Sequence, residues 1–190
     1  MRCCRKNIPL RFIFAAERGV MCRGIKTLEQ LEIVKRYLER IEAIYEGVPL
    51  LPSSNKEYYD DDVISFFIHC YHIRDWIIHL NKLGICPAEV DGYINNNRAL
   101  SVCADLANGS KHCRLTRATR TEDQPHVSGR ERYTSTYGDE VSIMKCKYRI
   151  MSNKQTLDAL ALAKECVSLW DNFVAKITEA HNKAKQVGTQ

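Results

Sequence analysis

Three histidines share one stripe of a single apolar segment. His69, His72, Trp76 and His79 follow one another at intervals of 3, 4 and 3 residues. On a helix that advances ~100° per residue they fall within a sector of about 80°. Asp75 borders that sector. Neutral imidazole nitrogens beside a carboxylate can ligate a transition metal. Imidazole also titrates near neutral pH, so the same set can take and return protons. The structural alternative is a polar stripe buried at a helix–helix or subunit contact.

A second cluster follows about thirty residues later in Asp105-Leu106-Ala107-Asn108-Gly109-Ser110-Lys111-His112. Asp105 and Asn108 stand three apart, and Asn-Gly is a strong signal for a helix end or a turn. The spacing therefore predicts a helix that stops near Ala107 and a chain reversal carrying Lys111 and His112. Those two side chains can meet the last helix carbonyls. A cation, an imidazole and an amide gathered at one reversal can also hold a phosphate and move a proton.

Helices must carry both clusters. Leu28–Glu46 repeats apolar residues at helical spacing, with Thr27 and Gln30 placed for a capping box and Gly47 and Pro49 as a stop. Tyr58–Lys82 is the histidine helix. Asp60, Asp61 and Asp62 sit at its positive end, and Val63, Phe66, Phe67, Cys70, Ile73 and Ile77 form its apolar side. Pro87 opens a short helix that Asn95-Asn96-Asn97 ends. Arg98–Ala107 is the next. The period then changes to two. Arg114–Thr121 and Arg132–Tyr137 alternate weakly, Gly138-Asp139 suits a tight turn, and Glu122–Glu131 reads as a polar loop. After the turn Met144, Cys146, Tyr148 and Ile150 point to one side, while Lys145, Lys147 and Arg149 point to the other. Asn153–Lys183 is the longest helix, with Ser152 and Gln155 as a second capping box. The expected fold is mainly α: an up-and-down helical bundle over residues 27–183, with a β-hairpin at 114–150 inserted before the last long helix. Residues 1–26 form a basic leader and 184–190 a frayed tail.

Charge and cysteine usage narrow the class. The 190 residues carry a formal net charge of +5. Residues 1–26 hold seven Lys/Arg against one acid, and residues 110–150 hold nine against five, so the helices are acidic. Such asymmetry suits a polyanion partner as well as a solvated basic face. The nine cysteines are odd in number and irregular in spacing, and none forms a CxxC pair. They read as reduced thiols in a cytoplasmic protein, with Cys70, Cys103 and Cys166 inside apolar helical patterns. No apolar run reaches the ~18 residues of a membrane span, so no membrane association is expected. No cofactor or resident metal is expected either.

The run Cys70-Tyr71-His72-Ile73-Arg74-Asp75-Trp76, followed by the Asp105–His112 cluster, resembles the HEPN-like superfamily of bacterial helical-bundle proteins across about Thr27–Lys183. That resemblance implies a four- or five-helix bundle, a homodimer, and a role in a toxin, phage-defence or RNA-processing system with an antitoxin or defence partner. It also implies metal-independent RNA cleavage at an Arg, often followed by Asn, with a His four to six residues farther on. Arg74 and His79 satisfy Arg-x4-His, although on a straight helix they diverge by about 140°. Asn108 and His112 match the Asn-x3-His part, with Ala107 where the family has Arg. Arg120 and His126 fit the spacing as well.

The resemblance thus implies His112, Asn108, Lys111, Asp105, His72, Asp75, Arg74 and His79 as catalytic candidates. His112 or His79 would take the ribose 2′-hydroxyl proton and a cation would steady the phosphorane. Arg114, Arg117, Lys145, Lys147 and Arg149 would hold the RNA backbone electrostatically. Two alternatives remain at this point. One is a non-catalytic module binding nucleotide, RNA or protein. The other is a metal-dependent enzyme built on His69, His72, Asp75 and His79.

Overall fold

The computed structural model describes residues 27–50, 58–79, 85–112, 118–138 and 141–187. The basic leader, Arg114 and Arg117 lie outside them.

Five helices follow in chain order: α1 (Thr27–Glu46), α2 (Tyr58–His79), α3 (Pro87–Asn96), α4 (Arg98–Lys111) and α5 (Ala159–Val187). Four strands interrupt them: β1 (Val48–Pro49), β2 (His126–Tyr137), β3 (Val141–Ser152) and β4 (Gln155–Asp158). The expected mainly α bundle with one inserted hairpin is therefore incorrect. The chain is mixed α/β, with a four-stranded antiparallel sheet packed on its helices.

The sheet is larger than the sequence pattern predicted for a physical reason. β3 is twelve residues long and presents one edge to β2 over its whole length. Its other edge takes two short strands, β1 at Ile143 and Met144 and β4 at Arg149–Ser152. Neither short strand has a periodicity of its own; each forms because β3 offers unpaired backbone groups. The segment first read as the start of the last helix turns back instead. Asn153 and Lys154 both take positive φ, 50° and 59°, as the centre of a two-residue hairpin turn requires. Ser152 and Gln155 face each other across that turn rather than forming a capping box. The N-cap of α5 is Asp158, whose Oδ1 accepts the Ala161 N–H at 2.9 Å.

Alternation along β3 works as read. Met144, Cys146, Tyr148 and Ile150 are buried against the helices, and Lys145, Lys147 and Arg149 are exposed on the outer face. Tyr148 ties the layers together: its hydroxyl donates to Asp60 Oδ1 of α2 at 2.8 Å, and its backbone N–H donates to the Tyr45 hydroxyl of α1 at 2.9 Å.

Helix α2 lies between α1 and α4. Its buried residues Val63, Phe66, Phe67, Cys70, Ile73 and Ile77 form the centre of the core with Trp170 of α5. Truncating one such Phe or Trp would cost ~3–5 kcal/mol. The α3–α4 corner is sharp because Asn97 ends one helix and starts the next. Its side chain donates to Tyr93 O at 2.7 Å and its N–H to Ile94 O at 3.1 Å. Among the described residues, no helix is long and apolar enough to cross a membrane.

Candidate functional site

The two polar clusters meet. Lys111 Nζ of α4 lies 3.1 Å from His72 Nε2 of α2. An ammonium can only donate, so His72 Nε2 accepts and the ring is neutral in this arrangement. Burial lowers the His72 pKa first; the Lys111 charge lowers it further, opposed by Asp75, and His69 adds a smaller push down. The result is an imidazole held as a free base beside a fixed cation.

The contact needs α4 to run farther than predicted. The helix continues through Asn108 and Gly109 to Lys111, and His112 is its C-cap. Asn-Gly does not reverse the chain here. The Ser110 hydroxyl donates to Ala107 O at 2.7 Å, and the Gln124 side chain packs where a Gly109 Cβ would sit, with Nε2 at 2.9 Å. Neighbouring chain thus covers the glycine and holds the last turn in place.

His69 is set about 60° round α2 from His72 and faces α1 instead. Gln30 Nε2 donates to the His69 carbonyl oxygen at 2.9 Å and lies 3.3 Å from His69 Nδ1. The carbonyl fixes that amide atom as the donor, so Nδ1 accepts and the remaining proton sits on Nε2. Tyr37 stacks on the same ring at 5.1 Å between centroids. Burial lowers the His69 pKa. Gln30, which the sequence offers for a capping box with Thr27, thus bonds across to α2 through its amide nitrogen. With His69 Nδ1 turned to Gln30 and His72 Nε2 to Lys111, both histidines present their lone pairs to protein donors.

Arg74 takes no part in this pair. Its Nε and one terminal nitrogen grip both oxygens of Asp91, each at 2.7 Å, and the other terminal nitrogen reaches Asp75 Oδ1 at 2.9 Å. Arg120 adds a second guanidinium to Asp91 at 2.9 Å and also bonds Asn95. The Asp91 pKa is lowered chiefly by the Arg74 hydrogen bonds, with Arg120 adding to the effect. The Arg74–His79 pair is not assembled: Arg74 is bound to α3, while His79 is exposed at the end of α2.

Asp105 is buried, and its Oδ2 accepts both the backbone N–H and the hydroxyl of Thr121 at 2.8 Å. It anchors the segment before β2. Asn108 is half-buried and His112 exposed, and neither side chain bonds another described residue. Of the eight catalytic candidates, the fold joins His72 with Lys111, places Asp75 close enough to act on His72, and commits Arg74 and Asp105 to structural bonds.

The outer face of the sheet holds the basic candidates. Lys145 pairs across the strands with Tyr133 and Lys147 with Glu131. Arg149 forms an ion pair with Glu131, so Lys145 and Lys147 carry the face's positive charge. Tyr133 and Tyr137 alternate onto the same face and are 54% and 64% exposed. Sequence reasoning missed both tyrosines, although their period-two spacing in β2 was visible. It also missed Asp91, Gln30 and Tyr37, for which no local signal existed. No protein-family model, no curated protein and no solved structure matches this chain.

Proposed function

We propose that this protein acts on RNA and that His72 and Lys111 are its reactive pair. The observation that carries the reading is a neutral imidazole nitrogen 3.1 Å from an ammonium at the partly exposed meeting of α2 and α4. From the HEPN-like resemblance the proposal keeps metal-independent chemistry and the RNA substrate class. It moves the site from the Arg-x4-His pair to a contact between helices.

An entering phosphate competes for Lys111 and frees His72 Nε2. His72 then takes the 2′-hydroxyl proton, and the 2′-oxygen attacks the adjacent phosphorus. Lys111 neutralises the phosphorane charge and passes a proton to the departing 5′-oxygen. The direct contact returns the proton from His72 to Lys111. The products are a 2′,3′-cyclic phosphate and a 5′-hydroxyl, so DNA is not cut. Lys145 and Lys147 attract the strand, and Tyr133 and Tyr137 offer stacking faces.

A second reading is a non-catalytic RNA-binding module, and the closed Arg74–Asp91 grip favours it. RNA cleavage in EDTA decides between them. The catalytic reading expects cyclic-phosphate ends from wild type and a loss of at least a hundredfold in His72→Ala and Lys111→Ala. Binding without cleavage by wild type supports the second reading. Neither binding nor cleavage removes both.

A further inference from the structure

Cys70 of α2, Cys103 of α4 and Cys166 of α5 bring their sulfur atoms within 4.8 Å of one another where three helices meet. All three residues are at most 1% exposed. Among the described residues this is the one group of His, Cys, Asp or Glu side chains whose ligand atoms converge. Cys103 Sγ donates to Phe67 O at 3.5 Å and Cys166 Sγ to Ala99 O at 3.4 Å. Those bonds orient two thiols and leave their sulfur lone pairs unused.

A second observation lies beside it. Trp170, one turn beyond Cys166 on α5, has a buried indole N–H with no hydrogen-bond partner among the described residues. A buried donor without an acceptor is costly. A thiolate is the acceptor that would relieve it.

We propose that Cys70, Cys103 and Cys166 form a three-sulfur site for a soft monovalent cation, copper(I). Three donors with no fourth ligand among the described residues suit a three-coordinate soft ion. Zinc prefers four ligands, or three and a water, and these three residues are wholly buried. Thiolate sulfur selects copper(I) on softness. Each cysteine binds the ion as a thiolate, so binding releases the thiol protons to solvent and changes no oxidation state. The site is closed by α2, α4 and α5, so the ion enters as the chain folds or as α5 opens locally.

The test uses the full-length chain with the other cysteines replaced (Cys3→Ser, Cys4→Ser, Cys22→Ser, Cys86→Ser, Cys113→Ser and Cys146→Ala). Wild type is carried alongside. Copper(I) is supplied anaerobically as its acetonitrile complex against a colorimetric copper(I) chelator. Native mass spectrometry counts ions and X-ray absorption counts sulfur neighbours. The expected result is one ion per chain with three sulfur ligands, a higher Tm, and at least a hundredfold weaker binding after Cys103→Ala or Cys166→Ala. Wild type should hold one ion more than its own Cys103→Ala variant, a comparison that stands even if the multiply substituted chain does not fold. No uptake against the chelator, two-coordinate sulfur, tighter binding of zinc(II), or undiminished binding in Cys103→Ala overturns the proposal. None of these outcomes depends on RNA.

Discussion

Asp105 and Thr121 are joined by two hydrogen bonds to one carboxylate oxygen, both at 2.8 Å. This pair fastens the segment leading into β2 onto the last turns of α4, beside the turn that carries Lys111. Asp105→Ala leaves the Thr121 N–H and hydroxyl without that acceptor. Urea unfolding should show a loss of about 1–3 kcal/mol, with Asp105→Asn losing less because one amide oxygen still accepts. Equal losses for the two variants would contradict this account.

The state of His72 depends on Lys111. Replacing the ammonium in Lys111→Met removes one cause of the lowered pKa, so NMR titration should find His72 titrating at higher pH than in wild type. Burial remains, so the value should stay below the ordinary 6.5. An unchanged His72 titration would sink the proposed pair.

The same shifts set a pH dependence of stability. His69 and His72 both have lowered pKa values in the folded chain. Below the ordinary 6.5 the unfolded chain therefore binds more protons than the folded one. Stability from these groups is complete above that value and is lost as pH falls through the window between it and the folded pKa values. Thermal unfolding should show this acid-side decline, and His69→Gln should flatten it. Cleavage with His72 as base should fall off on the same acid side.

Arg74 and Arg120 share Asp91. Their side chains are about one-quarter exposed, so solvent weakens the pair but does not cancel it. Arg74→Ala should cost about 1–2 kcal/mol. Arg74→Lys should recover little, because an ammonium cannot make the two parallel bonds. A double-mutant cycle between Arg74 and Asp91 measures the coupling.

Lys154 holds a left-handed backbone, φ 59°, without being glycine. Lys154→Gly should raise stability by up to ~1 kcal/mol by removing that strain and completing an Asn-Gly turn. A lower Tm would mean that the side chain contributes something the turn geometry does not reveal.

Much of this architecture was legible as pattern. Helical spacing of apolar residues located five helices because each must bury one face, and alternation in β3 sorted Tyr148 inward and Lys147 outward for the same reason. The stripe of His69 and His72 was visible because helix geometry alone places residues three apart on one side. Local pattern could not supply partners. Gln30 reads as a capping residue, and only the packing of α1 against α2 gives it His69 as a partner. Asn108-Gly109 reads as a turn until Gln124 covers it, and Ser152–Gln155 reads as a helix start until β3 offers an edge. Likewise the sequence shows Cys70, Cys103 and Cys166 only as three apolar positions on three helices. Their convergence, like the contact of His72 with Lys111, is a property of how helices pack, because residues far apart in the chain meet only when the buried faces choose their neighbours.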